Sequence, residues 1–133
     1  MPAPVQLIRS VPLFGDLDEQ HVEKLAAAFV DRSFAAGDVI IGQAQRGYAL
    51  FVIESGTAVV TRSGEDIRHC GPGEVFGEFA LFELDGRRTA TVAAESDMRC
   101  WSLSSMDFRA FAKGDADASW AMLTALVRSI AAS

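Results

Sequence analysis

Apolar positions along the chain change their spacing twice. Near the N-terminus, Val22, Leu25, Ala26 and Phe29 recur at the interval of an amphipathic helix. Asp18 stands where an N-cap belongs, so the pattern predicts a helix from there to about Val30. Val5 to Arg9 predicts a short helical turn ahead of it. Beyond about residue 33, short runs rich in β-branched and aromatic residues take over: VII at 39–41, YALFVI at 48–53, TAVVT at 57–61, TATVAA at 89–94 and MRCWSL at 98–103. Glycines punctuate them, and Ser55-Gly56 and Ser63-Gly64 read as tight connections. Helical spacing then returns. Ser104 or Ser105 can cap a helix over MDFRAFA, and Asp115 or Asp117 can cap a longer one with Trp120, Leu123, Leu126, Val127 and Ile130 on one face.

No long helix separates the strand runs, which excludes a parallel sheet built from βαβ units. The pattern predicts a mainly β fold with flanking helices (α+β), an antiparallel β-roll or jelly roll. Its parts are N-terminal helices at about 5–30, the roll at about 33–103 and two C-terminal helices at about 105–131. With 133 residues and neither an internal repeat nor a linker, the chain reads as a single domain, 1–133.

Composition narrows the function classes. Apolar residues make up 50% and charged residues 23%, an ordinary globular balance. The net charge of −6 argues against gripping a nucleic-acid backbone, although an acidic domain can still own a small cationic pocket. No apolar run approaches the ~18 residues that a membrane span needs. The start, MPAPVQLIRS, does not read as a signal peptide, so the expected location is cytoplasmic. Cys70 and Cys100 lack CxxC spacing and read as free thiols filling the core; His21 and His69 read as ordinary surface or half-buried residues. A metal site is poorly supplied, which weighs against a cupin-type metalloenzyme on the same jelly-roll shape. No nucleophile–base pair suggests turnover, and no cofactor is expected.

The stretch GEVFGEFALFELDGRRTATVAA, from Gly73 to Ala94, concentrates the chemistry. Gly77 permits backbone shapes that other residues resist. A short helix starting there would aim unpaired N–H groups at whatever precedes it, and such an end attracts phosphate. Arg88 heads the next predicted strand, and its guanidinium fork matches two phosphate oxygens. Glu78 can accept a hydrogen bond from a sugar hydroxyl. Together they suit a phosphorylated sugar. Taken alone, Glu78 reads as a solvated acid near a helix start and Arg88 as a surface strand end.

Nearly the whole chain resembles a cyclic-nucleotide-binding domain, the regulatory module of bacterial transcription regulators, cyclic-nucleotide-dependent kinases and gated channels. The resemblance runs through VPLFGDLDEQHVEKLAAAF and FAAGDVIIGQAQRGYALFVIESGTAVV and peaks at GPGEVFGEFALFELDGRRTATV. That last stretch is similar to the family's phosphate-binding cassette, FGE-x-AL followed by R-x-A-T/S-V. The resemblance implies that Glu78 binds the ribose 2′-hydroxyl. It implies that Arg88 pairs with the cyclic phosphate, helped by main-chain N–H groups near Ala80 and Thr89. Gly77 would allow close approach to the sugar, beside Phe79, while Phe76, Val60 and Ala90 would shape apolar walls near the purine. Arg87 stands where the family needs no arginine and is expected to point outward. Thr89 is placed either to contact the base, a feature associated with cGMP acceptance, or to serve as a plain strand former. Trp120 is expected in the core, with a base-capping role on a closing last helix as the alternative. One departure is Ala44, where the family often has glycine.

The resemblance implies a non-catalytic sensor of cAMP or cGMP whose cassette draws inward while the last helix, about Asp117 to Ala131, covers the pocket. The alternative is an interaction module that keeps the fold without the ligand. No DNA-reading, kinase or membrane segment adjoins these residues, so the expected effector is another protein or a further part of a longer chain, and homodimerisation is admitted.

Overall fold

The computed structural model describes residues 2–41, 49–77 and 90–132. The chain opens with α1 (Val5–Arg9), a 3-10 turn (Pro12–Phe14) and α2 (Glu19–Ala26). Among the described residues, eight strands follow: β1 (Val30–Phe34), β2 (Val39–Ile41), β3 (Ala49–Ser55), β4 (Ala58–Arg62), β5 (Glu65–Cys70), β6 (Val75–Phe76), β7 (Thr91–Ala94) and β8 (Met98–Ser104). Helices α3 (Ser105–Gly114) and α4 (Ala116–Ala131) end the described chain. The strands form two antiparallel sheets, β1-β8-β3-β6 and β2-β7-β4-β5, so the expected β-roll with flanking helices is the fold.

Strands β3 and β8 are covered on both faces, and the two-residue period of a strand divides their side chains between two cores. Leu50 and Val52 of β3, with Trp101 and Leu103 of β8, face the helices and pack with Ile8, Phe14, Leu25, Phe29, Phe108 and Met122. Phe51 and Ile53, with Met98 and Cys100, face the other sheet and pack with Ala58, Val60, Cys70, Val92 and Ala94.

Local signals place the helix starts. Asp18 caps α2 by accepting from the His21 amide at 2.8 Å, Ser104 caps α3 by accepting from the Asp107 amide at 3.1 Å, and Asp115 caps α4 by accepting from the Ala118 amide at 3.0 Å. Both tight connections occur. Ser63 (φ 53°) and Gly64 (φ 83°) form a two-residue hairpin loop whose twist matches its strands. Gly56 (φ 86°) passes the chain from one sheet to the other. A Cβ there would fall 2.4 Å from the Asp97 carbonyl oxygen, so the close approach requires glycine.

Three expectations are corrected. The helix predicted to reach Val30 ends at Ala26, and Val30 begins β1. Nothing in VDRSF announces a strand, because its side chains are largely exposed; β1 is held by backbone pairing to β8 and by Arg99, which donates to Asp31 through Nε at 3.0 Å and Nη2 at 2.6 Å. Strand β5 was likewise hidden in the polar run EDIRHC, of which only Cys70 is buried. Third, Trp120 is not a core residue. It is 67% exposed, and Leu123, Leu126, Val127 and Ile130 are exposed with it, while α4 buries Ala118, Met122 and Ala125. Ala118 and Met122 pack α4 onto the helix-facing core, and most of its large apolar side chains are left exposed. Cys70 and Cys100 are free buried thiols, as expected, and burial pushes the Cys100 thiol up to about 11.

Candidate functional site

The segment predicted to bind phosphate leaves the first sheet at β6 and rejoins the second at β7, so its two ends are anchored on opposite walls of the roll. Its start is tightly framed. Gly71-Pro72-Gly73-Glu74 makes a turn in which the Glu74 amide donates to the Gly71 carbonyl at 3.0 Å, with Gly73 at φ 83°. The Gly73 amide donates to the Ile53 carbonyl at 2.8 Å and the Ile53 amide donates to the Glu74 carbonyl at 3.0 Å, which docks the turn on β3. Arg68 of β5 donates to the Val75 carbonyl at 2.8 Å, supplying an edge-strand acceptor with a partner from the other sheet.

Phe76 pairs with Phe51 across the strands, and their rings stack at 5.0 Å and 10°. Stacked aromatic pairs contribute about 0.5–1.5 kcal/mol beyond their buried area. Gly77 then adopts φ 83°, a left-handed conformation that glycine permits and other residues resist. On the returning side, Ala90 is half-buried against the inter-sheet core, and Val60 of β4 pairs with Val92 of β7. Phe76, Val60 and Ala90 therefore belong to one apolar surface between the sheets. Glu78, Phe79, Ala80, Arg87, Arg88 and Thr89 lie outside the described residues, as does Ala44.

Trp120 belongs elsewhere. Its helix rests on the helix-facing core through Ala118 and Met122, and a cavity of about 360 Å³ lies along the same helix, lined by Leu13, Phe108, Ala112, Met122, Leu123 and Leu126 among others. The structure thus gathers the three predicted wall residues and places Trp120 on the outer face of α4, away from them. Sequence reasoning missed two positioning residues. Arg68 lay in a strand not recognised as one, and His21 gave no local signal of what it joins: its Nδ1 is 2.8 Å from Asp18 Oδ1 and its Nε2 2.6 Å from Asp115 Oδ2. Among the described residues, no group of His, Cys, Asp and Glu could hold a metal ion, and no helix is long and apolar enough to cross a membrane.

Comparison with known proteins gives this arrangement its family. The sequence profile of the cyclic nucleotide-binding domain matches residues 31–115. The chain is 34% identical over 97 residues to a cAMP-dependent protein kinase regulatory subunit of Yarrowia lipolytica, covering 73% of this chain and 26% of that one. It is 35% identical over 98 residues to a cGMP-dependent protein kinase of Eimeria tenella, covering 74% and 10%. The chain therefore spans about a quarter or less of the length of these relatives. Among solved structures, the N-terminal domain of a transcriptional regulator from Streptomyces coelicolor A3(2) superposes with a TM-score of 0.84 at 27% identity, covering 93% of this chain and 89% of that one. The regulatory domain of Toxoplasma gondii PKA, crystallised with cAMP, gives 0.74 at 29% identity, covering 80% and 42%. With the profile spanning most of the chain and the β-roll matching in space, this protein belongs to the cyclic nucleotide-binding domain family.

Proposed function

We propose that this chain, as a single domain over residues 1–133, is a regulatory sensor that takes cAMP or cGMP between its two sheets and signals by movement of α4. The observation that carries the reading is the framing of residues 78–89. A segment whose sequence holds the acid Glu78 and the arginine Arg88 has its two ends anchored on opposite walls of an apolar roll, entering through a glycine at φ 83°. Glu78 would accept from the ribose 2′-hydroxyl. Arg88 would pair with the cyclic phosphate, beside main-chain amides near Ala80 and Thr89. Thr89 would either contact a guanine amino group or serve as a plain strand former. Phe76 is only 3% exposed and already stacked on Phe51, so it serves as a floor behind the purine, with Val60 and Ala90 as walls.

The action is binding rather than turnover, and the expected setting is the cytoplasm. Differential affinity for an arrangement with α4 drawn toward the cassette would convert binding into a signal. Trp120, exposed on α4, would then reach the base, and the neighbouring apolar row would be covered or released toward an effector or a second copy. That exposed row also favours a second reading, an interaction module that keeps the fold without the ligand. Calorimetric titration with cAMP and cGMP separates the two. Saturable heat with either nucleotide is expected, and no heat with both leaves the interaction module.

A further inference from the structure

His21 joins two helix caps that are remote in sequence. Asp18 begins α2 and Asp115 forms the extended junction between α3 and α4 (φ −152°, ψ 113°). Both carboxylates are placed by their capping duty, Asp18 toward the His21 amide and Asp115 toward the Ala118 amide. Between them the imidazole ring presents one nitrogen to each, Nδ1 at 2.8 Å from Asp18 Oδ1 and Nε2 at 2.6 Å from Asp115 Oδ2. A neutral imidazole has a single N–H, so it can donate to one carboxylate while its bare nitrogen faces the lone pairs of the other. Only the imidazolium donates to both.

We propose that the imidazolium of His21 is a proton-controlled clamp, which ties the α3–α4 junction to the N-terminal helices through both carboxylates when charged and loosens it, keeping only one of the two contacts, when neutral. The inference goes beyond nucleotide sensing and does not depend on it, because the clamp acts in the chain alone.

The surroundings of the ring agree. Both charges that act on it are carboxylates, Asp115 from the junction and Asp18 from its own helix, while α3 contributes the Phe111 ring, edge-on at 6.4 Å and 81°. The hydrogen bond to Asp115 raises the His21 pKa above its ordinary value of 6.5, and burial opposes it. The Ala118 amide and then His21 hold Asp115 below its ordinary 3.8. The signs follow by linkage. A raised histidine stabilises fully below 6.5, and its contribution is lost as pH rises through the folded value; a lowered carboxylate stabilises above 3.8 and is lost as pH falls. The clamp is therefore fully closed between the ordinary values of 3.8 and 6.5 and loosens as pH rises through the folded histidine value.

The chain has two histidines, and His69 also faces a carboxylate, Glu95, at 3.0 Å, so the experiment uses a His69→Gln background to leave one titrating ring. NMR titration should show both ring nitrogens of His21 protonated at about pH 6, with a midpoint above 6.5. Over the same rise in pH, amide protection in the first turn of α4, corrected for intrinsic exchange, should fall. Asp115→Asn keeps a capping oxygen but removes the charge, and should return the midpoint toward 6.5 and abolish the pH dependence of α4 protection. His21→Gln should abolish that dependence as well. A midpoint at or below 6.5, or α4 protection equal on both sides of it, overturns the clamp.

Discussion

The two faces of β3 and β8 carry different cores. Toward the helices the packing is aromatic and large: Phe14 meets Phe29 edge-on at 6.4 Å and Phe108 at a tilt, with Trp101 and Phe111 in the same cluster. Between the sheets the side chains are mostly small, Ala58, Val60, Cys70, Val92, Ala94 and Cys100, with the Phe51–Phe76 stack where β6 meets β3. The larger side chains concentrate the fold's apolar stabilisation on the helical side. The inter-sheet side spaces two sheets that hold the ends of the proposed cassette, one on the edge strand β6 and the other on β7 inside the opposite sheet. One pair of strands thus serves stability on one face and, in the proposed function, recognition on the other.

The sharpest way to break that division is to empty the helical side. Phe14 is fully buried, and Phe14→Ala should cost about 3–5 kcal/mol of stability. Urea unfolding measures it, and nucleotide affinity per folded molecule should stay near the parent value. A small stability loss together with a large affinity loss would erase the distinction. The complementary change is Arg88→Ala. Losing one partner of a buried ion pair costs about 3–5 kcal/mol, or roughly two to three decades of affinity by calorimetry, with the unfolding midpoint little changed. Arg87→Ala should weaken binding by no more than about 1 kcal/mol, as for an exposed charge. Equal losses at both arginines would contradict the assignment. The smallest effect is expected in the link between the two cores. Nucleotide should change amide exchange over residues 117–131 by local amounts well below global stability, and unaltered exchange there would end the proposed role of α4.

Much of this was legible along the chain because the signals are short-range. Asp18, Ser104 and Asp115 each cap a helix through an amide close by in sequence, and Ser63-Gly64 closes a hairpin within itself. Glycine at position 77 permitted the left-handed backbone found there, which packing then selected. Strands β1 and β5 were not legible, since an edge strand with exposed polar side chains is held by its partner's backbone rather than by a pattern of its own. The orientation of α4 was misleading for a related reason. Its large apolar residues suggested a core-facing stripe, but Ala118, Met122 and Ala125 allow the closer approach to α3 and the 3-10 turn.

The chain's residues alone thus determine the helices, the apolar strands, their caps and turns, and the motif that marks the family, because each depends on neighbours within a few positions. Tertiary structure decided which face of α4 is buried, how Phe76 stacks on Phe51, and that His21 meets Asp115 from 94 positions away. Those outcomes are set when whole elements pack, and no local period or propensity encodes a distance between residues that only folding brings together.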